Sequence, residues 1–269
     1  MAKETVTVLS KNHKIITAGR KDCDVYCDIT QEVIIPSDID VVINFAAVFS
    51  GDSDEEIINA EKTNSLGTLN ICVAAKKSGA EHIINISSLS AMHDESSPYY
   101  SIYAITKRHA DELAKFYCGL NKIPLTVLRP SQIYADSDAF AEHQPFFYQI
   151  VDKAESGEDI TIYGKNDALR NYIHAVDLAE VISRVIQKQV TGVYACMYPS
   201  NITFSEIAHT AQTVFAKGGK ILFVDNQPDI PDNIFDSELT IYEKIEYHPG
   251  ISINEGLKRI KAYREEKSA

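Results

Sequence analysis

The sequence predicts an α/β protein: a parallel sheet covered by helices on both faces, with a smaller C-terminal lobe. Two observations carry this. Short apolar runs of strand length alternate with longer amphipathic stretches of helical period. After Arg129-Pro130 that alternation gives way to a loop, short strands and further helices. A length of 269 residues fits one large or two closely joined domains.

The elements follow in order. Residues 13–18 (HKIITA), 40–45 (DVVINF), 82–87 (HIINIS), 125–129 (LTVLR) and 192–196 (GVYAC) read as buried strands. Between them, 63–78, 102–120 and 176–188 carry the spacing of amphipathic helices. Strands joined by helices imply right-handed crossovers. Later, 144–156, 204–216 and 254–265 read as helices, with short strands near 160–163 and 171–174 and a turn at Pro228 and Pro231. The reading divides the chain into residues 1–134, joined again by 176–198, and a lobe of 135–175 and 199–269.

Composition narrows the function. The chain has 26 Lys+Arg against 38 Asp+Glu, a net charge of −12, and no Lys/Arg block. That argues against binding a nucleic-acid backbone. No apolar run approaches the roughly 20 residues that span a bilayer, and no charged-then-apolar leader opens the chain. The five cysteines are odd in number and widely spaced, and the eight histidines form no cluster. The reading is a reduced, cytoplasmic protein with no metal and no membrane or nucleic-acid partner.

The stretch that carries chemistry is Ser87-Ser88 at a strand end, followed by Tyr103-Ala-Ile-Thr-Lys107. Residues four apart share a helix face, so phenol and ammonium emerge together. An ammonium favours the phenolate and lowers the Tyr pKa, and the Tyr can then exchange a proton near neutral pH. A strand-end Ser can hydrogen-bond the same substrate oxygen. This is equipment for oxidising an alcohol or reducing a carbonyl beside a nicotinamide. The spacing alone is weak: a second match, Tyr263 and Lys267, lies in the charged tail with no such Ser before it.

Several ordered segments then carry a resemblance. They are IDVVINFAA (Asn44, Phe45, Ala46, Ala47), TNSLGTLNI (Asn64, Gly67, Thr68), IINISSLS, SIYAITK, LRPSQIY (Pro130, Ile133, Tyr134), IYGKNDALRNYIHAVDLA (Arg170) and YHPGISINEGLKRI. Over most of its length the chain resembles an extended short-chain dehydrogenase/reductase of the nucleotide-sugar epimerase/dehydratase family. The resemblance implies a Rossmann-like, doubly wound sheet in residues 1–134 and a substrate-binding lobe in the rest. It implies Ser88, Tyr103 and Lys107 as the catalytic set. Arg20, Asp28, Ile29, Phe45, Ala46, Ala47, Asn64, Pro130 and Ile133, with Tyr103 and Lys107, would line the cofactor. Ser88, Tyr134 and Arg170 would meet a nucleotide-sugar substrate, Arg170 at its diphosphate. His174 reads as packed rather than reactive. Arg20, where an acid would hold the ribose of NAD, favours a 2′-phosphate and hence NADP. A homodimer through the Tyr/Lys helix is the family's usual assembly.

The chain also departs from the pattern. The family opens with a strand, a GxxGxxG turn and a helix that seats the pyrophosphate. Here no three of the 12 glycines stand at i, i+3 and i+6. Residues 2–10 read as the later part of that helix, so the first strand is missing from the expected sheet. Three accounts compete: a misassigned start, a truncated, decayed or non-catalytic relative, and a fold completed by a partner chain. As written, the 269-residue chain is expected to bind a dinucleotide weakly, because the phosphate cradle is absent. Leu89 and Ser90 follow Ser88 where dehydratases carry Asp-Glu, which leaves epimerisation or reduction. The alternative is a non-catalytic relative that binds a sugar nucleotide or a protein.

Overall fold

A computed structural model describes residues 1–49, 51–236 and 238–268. Its central feature is a four-stranded parallel sheet in the order Gly192–Cys196, Leu125–Pro130, His82–Ile86, Val41–Asn44. These are four of the five strands expected from sequence. The middle strand, His82–Ile86, is buried at every residue, as a parallel strand covered on both faces must be. Its register sets Asn44 beside Asn85, and Asn85 beside Val127. The carboxyl ends of three neighbouring strands therefore lead directly into residues 45–48, Ser87-Ser88 and Pro130. That edge is where ligands of open α/β sheets bind.

The fifth expected strand, 13–18, is a correction. Only Ala18–Gly19 is extended and paired, and its partner is the two-residue strand Val25–Tyr26. Residues before it find no ladder. Instead the Thr17 backbone N–H and hydroxyl both donate to Asp24, at 2.8 and 2.7 Å, and close a turn. Ile16 is left exposed. An apolar run becomes a strand only where a neighbour supplies backbone partners.

The helices start and stop where local chemistry directs. Ser53 and Glu56 form a reciprocal capping box at Asp54–Ala60. That helix passes into a π-helical segment, Glu61–Leu66, and then into the α-helix Gly67–Ser78. Gly79 ends it in the left-handed region at φ 81°. Ser101 caps Ile102–Asn121 by accepting from the Ala104 N–H. Cys72, Ala75, Ile83, Ala114 and Cys118 make one apolar cluster between these helices and the sheet.

Two compact units emerge. The first comprises Met1–Pro130, Ala179–Cys196 and Glu238–Tyr247. The last of these segments holds the fully buried Ile241, Tyr242 and Ile245, although sequence had grouped it with the lobe. The second unit comprises Ser131–Leu178, Met197–Ser237 and His248–Ala269. Its core gathers Tyr134, Phe147, Val151, Ile162, Phe204 and Leu257, among others. Helices Pro145–Ser156, Phe204–Phe215 and Ile253–Ser268 surround that core.

Candidate functional site

In the first unit, Ser88 leaves the strand His82–Ile86 in extended conformation and caps a 3-10 turn, Leu89–Met92. Its hydroxyl accepts from the Ser90 N–H at 3.1 Å. The same side chain lies near enough to the phenol of Tyr103 to influence its ionisation. Burial pushes the Tyr103 pKa up to about 12; the Ser88 side chain opposes this and the charge of Asp111 adds to it. Phe49 stacks on the phenol, with ring centroids 4.4 Å apart and 17° between planes.

Lys107 stands one turn further along the same helix and is buried. Its Nζ donates to the Ile86 carbonyl at 2.9 Å, just before the Ser pair. Desolvation lowers its pKa to about 8, against the pull of Asp111. The structure thus brings Ser88, Tyr103 and Lys107 to one strand end, as the sequence expected.

A buried amide network fixes the loop beside them. Asn44 Nδ2 donates to Thr68 at 3.2 Å and to Asn85 at 3.0 Å, while Asn44 Oδ1 accepts the Ala46 N–H at 3.1 Å. Asn64 accepts the Val48 N–H at 2.8 Å, and its amide donates to the Val48 carbonyl at 2.9 Å and to Thr106 at 3.0 Å. Asn64 therefore ties the loop after the first sheet strand to the Tyr/Lys helix. Ala46 and Ala47 are exposed, and Phe45 is half-buried. Pro130 is buried at the end of its strand.

The other expected residues have plainer surroundings. Arg20 is exposed, just beyond Ala18–Gly19. Asp28 accepts from the Thr30 N–H and hydroxyl, which hold its carboxyl below the usual range, and so caps its own turn. Ile29 is buried with Ile71 and Ala74. A Cβ on Gly67 would sit 2.6 Å from its Cδ1, so glycine is what lets the helix approach.

In the second unit, Ile133 is half-buried and Tyr134 fully buried, its hydroxyl donating to the Ser252 carbonyl at 3.3 Å. Arg170 is also buried. It donates to the Leu169 and Pro231 carbonyls at 2.7 and 2.9 Å and lies 4.6 Å from the Phe204 ring centroid. Both side chains are engaged with protein. His174 is fully buried, as expected of a packing residue. Val176 N–H donates to its Nδ1, which leaves the proton on Nε2, 3.0 Å from Asp136. Arg259 binds the same carboxylate through two nitrogens, at 2.8 and 2.7 Å.

Sequence reasoning missed two residues around the catalytic candidates. Arg108 donates to the carbonyls of Ala91 and His93 and pins the turn after Ser88 to the helix. Asp111 is completely buried and paired with Arg129 at 2.8 Å. Both fall in a charged run, RHADE, that reads as a solvated face; only the i, i+4 offset of Asp111 from Lys107 hinted otherwise. Among the described residues no group of three or more His, Cys, Asp or Glu is placed to hold a metal. Among the described residues no helix is long and apolar enough to cross a membrane.

Comparison with known proteins shows the family and the fold. CDP-abequose synthase of Salmonella typhimurium is 24% identical over 161 residues, 60% of this chain, and the match spans about half, 52%, of that relative. Two solved structures share the fold. UDP-N-acetylglucosamine 4-epimerase from Bacillus cereus has a TM-score of 0.79 at 18% identity and covers 98% of this chain and 92% of its own. UDP-glucuronic acid 4-epimerase from Bacillus cereus, in complex with UDP-glucuronic acid and NAD, has a TM-score of 0.70 at 20% identity and covers 86% and 76%. The model of the NAD dependent epimerase/dehydratase family matches residues 3–196, and the chain belongs to that family.

Proposed function

We propose that this chain is an NAD(P)-dependent epimerase or reductase of a nucleotide-activated sugar. The observation that carries the reading is the convergence of Ser88, Tyr103 and Lys107 at one strand end, with Asn64 fixing the adjoining loop. The nucleotide-sugar names of the relatives support the substrate class.

The nicotinamide end of a cofactor fits these residues. Small, exposed Ala46 and Ala47 follow the strand end, and Tyr103 and Lys107 face it from their helix. Pro130, and Ile133 of the second unit, are further candidates for cofactor contact. Bound there, the nicotinamide supplies the group that takes up or returns a hydride. Ser88 hydrogen-bonds the reacting sugar oxygen and Tyr103 removes or returns its proton. Lys107 lowers the energy of the phenolate, which burial alone disfavours. Arg20, exposed at its strand end, supports NADP over NAD. Asp28 and Ile29 are the candidates for the adenine side. In the second unit Arg170 is the proposed diphosphate ligand and exchanges its carbonyl partners for phosphate oxygens. Tyr134 is proposed to shape the sugar site from within the core.

A homodimer is proposed through the Tyr/Lys helix and its neighbour. Phe116, Leu120, Ile58 and Leu66 lie exposed there, at 72%, 71%, 53% and 49%, a larger apolar display than a surface helix needs.

The second reading is a non-catalytic binder of a sugar nucleotide or a protein. The hydrogen bonds of Arg170, the proposed diphosphate ligand, to the Leu169 and Pro231 carbonyls favour it. Turnover of a panel of UDP-, CDP- and dTDP-sugars with NAD or NADP, by wild type and Tyr103→Phe, separates the two. Turnover abolished by Tyr103→Phe supports the enzyme. Sugar-nucleotide binding without turnover in either protein supports the binder.

A further inference from the structure

Lys107 carries its charge into a poor environment. It is only 4% exposed, and the hydrogen bond described for its Nζ goes to the neutral Ile86 carbonyl. Among the described residues no carboxylate reaches it within ion-pairing distance. Yet four residues on, on the same helix face, lies Asp111, with no exposed surface at all. A carboxylate buried so deeply is itself costly unless paired. Arg129, from the adjacent strand Leu125–Pro130, provides the partner: its Nε donates to Asp111 Oδ2 at 2.8 Å.

The other charged and titratable groups nearby are few. Tyr103 and Asp111 share the Lys107 helix. Arg129 comes from the strand, reaching the group through Asp111, and the hydroxyls of Ser87 and Ser88 come from the preceding strand's end. Glu61, on the π-helical segment packed against this helix, is engaged near the surface with His109. His93, on the turn after Ser88, faces Ser97.

We propose that Asp111, anchored by Arg129, is a positioning residue that keeps the buried Lys107 ammonium charged beside Tyr103. This rests on the proposed catalytic role of Tyr103 and Lys107 but concerns a property measurable without turnover. The geometry gives Asp111 two cations to serve, one bonded and one a helical turn away. Burial raises the Asp111 pKa, and Arg129, the Ser87 hydroxyl and Lys107 each pull it back. In return Asp111 opposes the desolvation that draws Lys107 down to about 8. The same carboxylate disfavours the Tyr103 phenolate, so its benefit to proton exchange comes entirely through Lys107. Arg129 fixes where that negative charge sits.

The test is a direct titration of Lys107 by NMR in protein labelled with 13C at the lysine ε-carbons, the signal assigned by its loss in Lys107→Met. In wild type the signal should titrate near about 8. In Asp111→Asn its proton affinity should fall by about tenfold or more, one pKa step or more being the scale of a charge at this range. Asp111→Asn leaves the half-buried Arg129 without its partner and can unfold. The double variant Asp111→Asn/Arg129→Gln removes both charges and should show a smaller fall in the same direction, since the cation it also removes disfavours the ammonium, while Asp111→Glu should retain most of the wild-type affinity. A Lys107 titration unmoved in a folded Asp111→Asn or double variant overturns the proposal. If the fall occurs but wild type turns over no nucleotide sugar, the positioning role stands and the enzymatic reading fails separately.

Discussion

Replacing Asn64 by Ala should loosen the site in a place that can be read atom by atom. Asn64 is 1% exposed and makes three hydrogen bonds, to both backbone groups of Val48 and to the Thr106 hydroxyl. Alanine leaves the Val48 N–H and carbonyl and Thr106 to find other partners. Each buried polar group left unpaired costs about 1–3 kcal/mol. Val48 is half-buried and can recover part of this from water, so a total of about 2–4 kcal/mol is expected. Denaturant unfolding measures the total. Amide exchange at Val48 measures the local share and should accelerate by at least about tenfold, the equivalent of about 1.4 kcal/mol. Catalytic turnover should fall with it, because the loop at residues 45–48 would no longer be tied to the Tyr103 helix. A stability loss below about 0.5 kcal/mol, the range of a neutral surface change, with Val48 exchange unchanged, would refute the network as described.

Three further outcomes are expected. Gly256→Ala should destabilise by about 1–3 kcal/mol despite alanine's better helix propensity, because its Cβ would sit 2.2 Å from the Tyr134 hydroxyl oxygen; a thermal melt showing gain would contradict this. Burial would raise the Asp136 pKa, but hydrogen bonds from His174 and Arg259 prevail and hold the carboxyl well below its usual range. A depressed folded pKa gives stability that is present above the unfolded value of 3.8 and is lost as pH falls below it. Unfolding of Asp136→Asn should accordingly show a flatter acid limb than wild type. For Lys107 the folded pKa of about 8 lies below the usual lysine value of 10.5, so the unfolded chain holds more protons in that window and stability rises with pH through it. Lys107→Met should remove the cost of the buried charge and raise stability near neutral pH by about 1–3 kcal/mol, while abolishing activity.

Much of this organisation was legible because it is periodic or local. The sheet strands 41–44, 82–86, 125–130 and 192–196 announced themselves as short apolar runs. Tyr103 and Lys107 could be placed together because an i, i+4 pair shares a helix face, and the resemblance implied Ser88 as their partner. Residues 13–17 misled, since apolarity cannot say whether a neighbouring strand is available. The π-helical segment Glu61–Leu66, in which Asn64 and Ser65 are buried, was also hidden. Asp111, Arg108 and the Asp136–His174–Arg259 cluster are pairings between distant segments. Nothing in RHADE distinguishes a solvated acid from one that meets an arginine on another strand.

The central claim is that Tyr103, supported by Ser88 and Lys107, exchanges the proton of a sugar hydroxyl while its carbon gives up a hydride. The most direct measurement is isotope transfer. Nucleotide sugars deuterated at their carbinol carbons are incubated with the chain and NAD or NADP, and sugar and cofactor are recovered and weighed. The account predicts deuterium in the cofactor, or an inverted carbon that has kept its deuterium, with wild type and neither with Tyr103→Phe. A wild-type chain that binds the sugar nucleotide and cofactor but moves no deuterium would contradict it.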